Sequence, residues 1–150
     1  MTDFLIRQDH KKLEIKSRER IIKFLSSQQT GRIASIDESG FPQIIPMNFV
    51  FINDTVYMHS HIRGEKLDNI RRNQQVGFEV DKSLEFLPSY FSDPTDASLA
   101  DTLYISVVIK GNASIVSNKE EKTIALNGLM KKYQPEGGYE PIKPDMDVLK

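Results

Sequence analysis

The stretch Arg32 to Ser60 decides the predicted fold, and it reads RIASIDESGFPQIIPMNFVFINDTVYMHS. Two short polar segments, Asp37–Gly40 and Asn53–Asp54, separate three runs that are rich in β-branched and aromatic residues. Runs of this composition form strands, and short connections of this kind join antiparallel neighbours. The stretch therefore predicts a three-stranded antiparallel meander. Its strands are expected at residues 32–36, 41–52 and 55–60.

Two prolines, Pro42 and Pro46, lie inside the second predicted strand. Proline has no backbone N–H and cannot donate to a strand ladder. The two prolines therefore predict an edge strand, a bulge, or a segment whose free backbone groups face something other than a neighbouring strand.

Outside this meander the hydrophobic pattern alternates between helical and extended segments. Three helices are predicted: one at Ser17–Gln29, one at Arg63–Asn73, and one that begins at a capping box of Ser117 and Glu120 and ends before Pro135. Two more strands are predicted at Gln75–Asp81 and Leu103–Val116, the second with a bulge or bend at Gly111. Residues 82–102, with two prolines and four acidic residues, predict a long loop or lid. Antiparallel strands with peripheral helices predict an α+β fold, and the short strands favour a small barrel.

The composition is that of one ordinary globular domain. The chain has 150 residues, of which 39% are hydrophobic and 27% charged, and its formal net charge is −1. This balance gives no global positive field that would favour a nucleic acid or a membrane as partner. The absence of cysteine excludes disulfides, thiolate catalysis and cysteine-ligated metal. No apolar run approaches the about 20 residues of a membrane span, and the N-terminal segment is too charged for a signal peptide, so a cytoplasmic location is expected.

The segment His59 to Lys66, HSHIRGEK, is the first candidate for a functional site. It runs from the end of a predicted strand through Gly64 into the start of a predicted helix. A helix N-terminus offers unpaired backbone N–H groups and a partial positive charge, and glycine permits close approach of a ligand. Ser60, Arg63 and Lys66 add a hydroxyl and two cations. The segment therefore predicts a site for a phosphate monoester, although basic residues beside a glycine are also common on ordinary surfaces.

A metal site is an alternative interpretation of the same segment. His59, His61 and Glu65 have the His-x-His-xxx-Glu spacing of cupin metal sites. A cupin also needs a later histidine and a glycine-rich second motif, and the remaining histidine, His10, lies far upstream. No metal is therefore expected, and His59 and His61 are interpreted as side chains at a strand end.

Basic residues also cluster between Arg7 and Lys23, as they would in an arm that binds single-stranded nucleic acid. The predicted strands lack the interleaved basic and aromatic residues of such modules, so no nucleic-acid partner is expected. Nucleophile-elbow, P-loop and dinucleotide-fold glycine motifs are all missing from the sequence.

Taken in order, several segments resemble the FMN-binding split-barrel family related to pyridoxamine 5'-phosphate oxidase, and within it the nitroimidazole-resistance branch. The most specific are VYMHSHIRGEKLDNIRRNQQVGFEVD, which ends at Asp81, and the Tyr-x-Ser-Val strand at Tyr104–Val107. The resemblance covers residues 17–142, which leaves a polar leader at 1–16 and a tail at 143–150.

The resemblance implies an antiparallel split β-barrel with peripheral helices and an FMN at a homodimer interface. It places the FMN phosphate on Ser60, Arg63 and Lys66, the same residues that the anion site contains. It also places backbone groups of the second strand at the isoalloxazine edge, and it puts Ser106 of the long strand near the flavin. The second-strand residues are Pro46, Met47, Asn48 and Phe49. His59, next to the phosphate site, is a further cofactor contact and the candidate proton donor.

The function that the resemblance implies is that of a flavin oxidoreductase. Electrons would pass from a reduced nicotinamide cofactor, NAD(P)H, to a small-molecule acceptor, for which a nitroaromatic compound is one candidate. The flavin ring face would be walled by Tyr90, Phe91 or Tyr104. The alternative is a non-catalytic FMN- or haem-binding carrier or redox sensor, with His59 or His61 as the axial ligand of a haem. Vitamin B6 oxidation is not expected, because the C-terminal signature of the oxidase is missing.

Overall fold

The computed structural model describes residues 13–146. Three helices, α1 to α3, and six strands, β1 to β6, follow one another along the chain. They are α1 (Arg18–Ser27), β1 (Gly31–Ile36), β2 (Pro42–Met47), β3 (Phe49–Ile52), β4 (Thr55–Met58), α2 (Glu65–Arg72), β5 (Gln75–Leu87), β6 (Asp101–Asn112) and α3 (Lys119–Tyr133). All strand pairs are antiparallel within this part of the chain. The predicted α+β class is confirmed.

The strands form two sheets. Four of them lie in the order β2-β1-β5-β6, and β3 pairs with β4 in a separate hairpin. The β3–β4 turn contains Asn53 and Asp54 at φ 48° and 62°. Two successive residues with positive φ are typical of the tight turns that match the twist of a hairpin. The β1–β2 turn is held by Asp37, whose carboxylate accepts from the N–H groups of Ser39 and Phe41 at 2.8 and 2.9 Å.

The predicted second strand, residues 41–52, is in fact two strands. Asn48 separates β2 from β3, and the two belong to different sheets. The continuous meander was therefore wrong at this position. Of the three alternatives for Pro42 and Pro46, the structure shows the edge position, because among the described residues β2 has a strand neighbour on one side only. Pro42 and Pro46 fit the open side of β2, where the missing N–H groups cost no ladder bond.

The core lies where the four-stranded sheet meets the β3–β4 hairpin and α1. Leu25, Ile33, Phe49 and Val80 are at most 1% exposed. The rings of Phe49 and Phe78 meet edge to face with centroids 5.1 Å apart. The helix predicted at Ser17–Gln29 is confirmed, and it contributes Leu25 and the buried Phe24 to this core.

Two local predictions were wrong. The N-cap of α3 is Asn118, whose side-chain oxygen accepts from the N–H of Glu121 at 2.8 Å, and not the box of Ser117 and Glu120. Asparagine caps a helix as well as serine does, so the two adjacent residues could not be separated by type. Gly111 pairs in regular register with Val76, and the irregularity lies between Ser83 and Glu85 in β5.

The long loop predicted at residues 82–102 is shorter than expected, because residues 82–87 and 101–102 are strand. β5 continues to Leu87 and β6 begins at Asp101, so the connection spans residues 88–100 and contains two short 3-10 turns. From Val80 onward β5 has β6 as its strand partner, and β1 pairs only as far as Glu79. Because both faces of this hairpin extension are exposed, the alternation that marks a half-buried strand is reduced to the four residues Ser83–Phe86. We call residues 82–104 the arm.

Within residues 13–146, no helix is long and apolar enough to cross a membrane.

Candidate functional site

A cleft of about 210 Å³ lies where β2 faces the segment between β4 and α2. Its walls come from the strand edge on one side and from the strand-to-helix junction on the other. The residues that line it are Gln43, Ile45, Ser60, His61, Arg63, Gly64, Glu65, Lys66 and Leu67. Three of these, Ser60, Arg63 and Lys66, form the predicted phosphate site. The structure therefore brings the predicted anion-binding residues together in one concave site.

The start of α2 presents backbone donors beside this cleft. Gly64, the residue before the helix, has φ 139°, a conformation that favours glycine, and it provides no side-chain cap. The N–H groups of Leu67 and Asp68 bond to the Gly64 carbonyl at 2.9 and 3.2 Å. Those of Glu65 and Lys66 have no acceptor among the described residues. Unpaired N–H groups at a helix start favour an anionic ligand.

Among the cations of the cleft, Lys66 gives the clearest indication of what kind of ligand the cleft binds. Its Nζ lies 3.2 Å from the thioether sulfur of Met47, a weak acceptor. No carboxylate of residues 13–146 forms an ion pair with it. Burial lowers the pKa of Lys66, because a half-buried ammonium loses hydration. A cation that has lost water without gaining an anionic partner is suited to an anion supplied from outside.

The junction segment is held in shape by its own polar groups. The hydroxyl of Ser60 donates to the carbonyl of His61 at 3.2 Å. The backbone N–H of Arg63 donates to Nδ1 of His61, also at 3.2 Å. The Arg63 side chain is exposed at the cleft and makes no ion pair with a described residue. The segment therefore carries a guanidinium that remains open to a ligand and a hydroxyl that can donate to one by giving up its bond to the His61 carbonyl.

The residues predicted at the flavin ring do not all lie next to the cleft. Met47 adjoins the cleft through Lys66, and Pro46 and Asn48 are exposed at the end of β2. Phe49 is fully buried. Its N–H donates to the Tyr133 hydroxyl at 2.8 Å and its carbonyl accepts from Lys132 Nζ at 2.9 Å. A ligand would have to displace one of these bonds to reach the Phe49 backbone.

Two further predicted residues lie apart from the cleft within one subunit. Ser106 is exposed on β6, the edge of the sheet opposite to β2. His59 is exposed just after β4 and does not line the cleft. The aromatic residues predicted over the ring lie on the arm, where Tyr90 and Phe91 stack edge to face at 5.1 Å and Tyr104 is exposed. These assignments stay predictions.

The sequence interpretation missed Gln43 and Ile45, which line the cleft from β2. A signal for them existed, because Gln43, Ile45 and Met47 alternate along the strand with Pro42, Ile44 and Pro46. The first set is half-buried and the second is exposed. Alternation places every second residue on one face, so Met47 implied the other two.

A metal centre finds no support in the described part of the chain. No group of three or more histidine, aspartate or glutamate side chains within residues 13–146 could hold a metal ion. His59, His61 and Glu65, which have the cupin spacing, are all exposed.

The fold and the cleft define a small α+β domain whose strand-to-helix junction presents cations and free amides. The chain belongs to the pyridoxamine 5'-phosphate oxidase family, whose profile matches residues 17–148. The resemblance found in the sequence is thus confirmed. No curated protein matches the chain.

Several solved structures are similar to this chain. A candidate 5-nitroimidazole antibiotic resistance protein from Bacteroides thetaiotaomicron is 25% identical, with a TM-score of 0.71, and the match covers 84% of this chain and 71% of that one. The flavocytochrome Anf3 of Azotobacter vinelandii is 18% identical, with a TM-score of 0.78, over 95% of this chain and 63% of that one. An FAD- and heme-binding protein of Mycobacterium smegmatis is 15% identical, with a TM-score of 0.71, over 86% and 60%. The last two show the shared fold alone.

Proposed function

We propose that this protein binds FMN and acts as an oxidoreductase that passes electrons from NAD(P)H to a small acceptor. The observation that carries the proposal is the half-buried Lys66, which has no anionic partner among residues 13–146 and lies in one cleft with Ser60 and Arg63. When bound, the flavin supplies the redox chemistry by accepting a hydride and releasing electrons to an acceptor.

The FMN phosphate suits this cleft for electrostatic reasons. A phosphate monoester carries a charge of about −1.5 to −2 at neutral pH and three strong acceptor oxygens. Arg63 and Lys66 offer charged donors, Ser60 offers a hydroxyl, and the first turn of α2 offers free N–H groups. Charge-assisted hydrogen bonds of this kind are about twice as strong as neutral ones. Bound phosphate would also offset the desolvation of the Lys66 ammonium.

The open side of β2 would contact the flavin ring. Pro46, Met47 and Asn48 lie at the end of an edge strand, next to the break before β3. An edge strand keeps unpaired carbonyl and N–H groups, which can read the polar edge of a ring. The Lys66–Met47 contact connects this strand to the phosphate end of the cleft. In the same proposal, the two sheets are the halves of a split barrel, and His59 is the proton donor.

We further propose that the protein is a homodimer and that the arm contributes to its interface. Seven large apolar side chains of the arm are between 45% and 70% exposed: Leu84, Phe86, Tyr90, Phe91, Leu99, Leu103 and Tyr104. An isolated two-stranded hairpin with both faces in water is marginally stable. Aromatic side chains bury roughly 150–250 Å² each, so four of them exposed by about two-thirds offer roughly 500 Å². A standard interface buries about 800 Å² per partner, so the arm could supply more than half of one.

The arm gives a direct test of the dimer. Phe86 and Tyr104 lie on one face, because Phe86 pairs with Thr102 in the β5–β6 register. The double change Phe86→Glu and Tyr104→Glu is expected to raise the dimer dissociation constant at least tenfold, about the effect of losing one strong interface anchor. Light scattering after size-exclusion chromatography over a concentration series measures it. Phe41→Glu, which alters an exposed phenylalanine in the β1–β2 turn, is the matched control. A monomeric wild-type protein, or an unchanged dimer in the double variant, would contradict this part of the proposal.

An acceptor of the nitroaromatic class is proposed from the likeness to the Bacteroides protein. It is tested by following NAD(P)H oxidation with a nitroimidazole and with a quinone. Oxidation with neither acceptor, in a protein that holds FMN, would leave the flavin carrier or redox sensor as the function.

The visible absorption spectrum of the purified protein, before and after addition of FMN, tests the cofactor. A flavin spectrum with FMN identified by mass in the released material is the expected result. A protein that takes up no flavin would overturn the proposal. A Soret band would support the haem-binding alternative, and His59 and His61 would then be the candidate axial ligands.

A further inference from the structure

A buried amide lies directly beneath the cleft. Asn69, on the inward side of α2, is 1% exposed. Its Nδ2 donates to the hydroxyl of Ser35 and to Oε1 of Gln43, each at 3.3 Å. Its Oδ1 accepts from Nη1 of Arg72, also at 3.3 Å. These contacts link α2 to β1 and β2, and they end at Gln43, a cleft residue.

The hydrogen-bond donors and acceptors of these four side chains determine how the two amide groups are oriented. Arginine can only donate hydrogen bonds, so the Asn69 oxygen must face Arg72. The Asn69 amide nitrogen, with two N–H donors, must then face Ser35 and Gln43. Because that nitrogen donates, Gln43 has to present its oxygen to it. The Gln43 side chain therefore points its own NH₂ group away from Asn69.

The Gln43 NH₂ group is left as a donor at the cleft. Gln43 is half-buried and lines the cleft together with Ser60, Arg63 and Lys66. Its Nε2 donates to no acceptor within residues 13–146. The described part of the chain holds no buried side-chain N or O atom without a hydrogen-bond partner, so this unpaired Nε2 is accessible from solvent, and a ligand in the cleft can accept from it.

We infer that Nε2 of Gln43 donates a hydrogen bond to a phosphate oxygen of the bound ligand, and that Asn69 is the positioning residue that turns this donor toward the cleft. The inference rests on the proposed function, because it assigns a further contact within the same site. Gln43 adds a neutral, directed donor to a site whose other side chains supply mainly charge. Its contribution therefore depends on the phosphate group and not on the flavin ring.

The first test replaces Gln43 and compares two ligands. Gln43→Met keeps the length of the side chain and removes the donor. It is expected to weaken FMN binding about ten- to a hundredfold, the effect of one hydrogen bond to a charged group. Binding of riboflavin, which lacks the phosphate, is expected to stay within about twofold, since it cannot form that bond. Fluorescence titration measures both, and Gln75→Met, on an exposed residue of β5, is the matched control.

The second test reverses the direction of the hydrogen bond between Asn69 and Gln43. In the Asn69→Asp variant both side-chain oxygens accept, so Gln43 has to donate its NH₂ group to them and turn its oxygen to the cleft. FMN binding is expected to weaken at least as much as in Gln43→Met. In the Gln43→Met background, Asn69→Asp is expected to lose the part of its effect that passes through Gln43, so the loss in the double variant is smaller than the sum of the two single losses. If Asn69 had only a structural role, the losses of FMN affinity in the two single variants would add up in the double variant. The melting temperature of the Asn69→Asp variant reports such a role separately.

The outcomes separate this inference from the proposed function. Wild-type affinity for FMN in Gln43→Met overturns the inference and leaves the flavin site standing. Equal losses for FMN and riboflavin also overturn it, because the contact would then not be to the phosphate. A wild-type protein that binds no FMN overturns both. If Asn69→Asp fails to fold, the two Gln43 measurements still decide the question.

Discussion

Replacing Arg63 and Lys66 together with alanine is expected to weaken FMN binding by about 100- to 10,000-fold. Hydrogen bonds to charged groups contribute about 1.5 to 3 kcal/mol each, and every 1.4 kcal/mol is a factor of ten in affinity. Both residues line the cleft, and neither has an acidic partner in the described part of the chain that would compensate its charge. Isothermal titration calorimetry or flavin fluorescence measures the loss.

Two controls make this result specific. Arg71→Ala with Lys131→Ala removes the same charge from exposed positions, one at the far end of α2 and one on α3. That pair is expected to change FMN affinity by no more than a few-fold, because exposed charges act weakly at a distance. The loss in the cleft variant is also expected to shrink for riboflavin. An FMN affinity that survives the cleft substitutions would remove the phosphate assignment.

One part of the cleft was predictable from the sequence, namely the residues that lie close together along the chain. Ser60, Arg63, Gly64 and Lys66 are six or fewer residues apart, and a helix start beside glycine positions them without help from the rest of the chain. Gln43 and Asn69 were not predictable in the same way. Their contact joins residues 26 positions apart and depends on how α2 packs against β2.

The fold was predictable where hydrophobic residues were regularly spaced. The prediction failed where both faces of a strand are exposed, because the regular spacing is then lost. The strand pattern of β1 and the helical pattern of α1 each bury one face, and both were found. The outer half of β5 is exposed on both sides, so residues 82–87 resemble a loop in sequence. The break at Asn48 is set by α3, which supplies Tyr133 and Lys132 to the peptide groups of Phe49 from 84 and 83 residues away.

Lys132 is another cation that has lost water without gaining an acidic partner within residues 13–146. Its Nζ lies 3.6 Å from the centroid of the Phe49 ring. It donates to the carbonyl of Phe49 at 2.9 Å and to that of Leu25, in the last turn of α1, at 3.4 Å. A cation suits both positions, because an aromatic face and the C-terminal end of a helix are electronegative. Lys132 thus joins α3, β3 and α1, and it is half-buried in doing so.

Stability is expected to rise as the pH increases from about 8 to 10.5, and Lys132 is the cause. Burial lowers the pKa of Lys132 from 10.5 to about 8. Between these values the unfolded chain binds more protons than the folded protein, so the free energy of unfolding increases with pH. At about 1.4 kcal/mol per pH unit the full shift would correspond to roughly 3 kcal/mol. Because much of the side chain still contacts water, we expect about 1 to 2 kcal/mol.

Lys132→Met tests this assignment, since methionine can keep the contact with Phe49 and does not titrate. Urea denaturation at pH 8, 9 and 10 is expected to show the rise in the wild-type protein and the loss of most of it in Lys132→Met. Lys131→Met, at the exposed neighbouring position on α3, is expected to retain it. Burial raises the pKa of Tyr133, so that hydroxyl opposes Lys132 above about pH 10, where the unfolded chain releases its tyrosine protons first. The window below pH 10 therefore excludes the effect of Tyr133. Burial also lowers the pKa of Lys66, by less than that of Lys132, so a small rise is expected to remain in Lys132→Met. A rise of wild-type size in Lys132→Met would place its origin elsewhere.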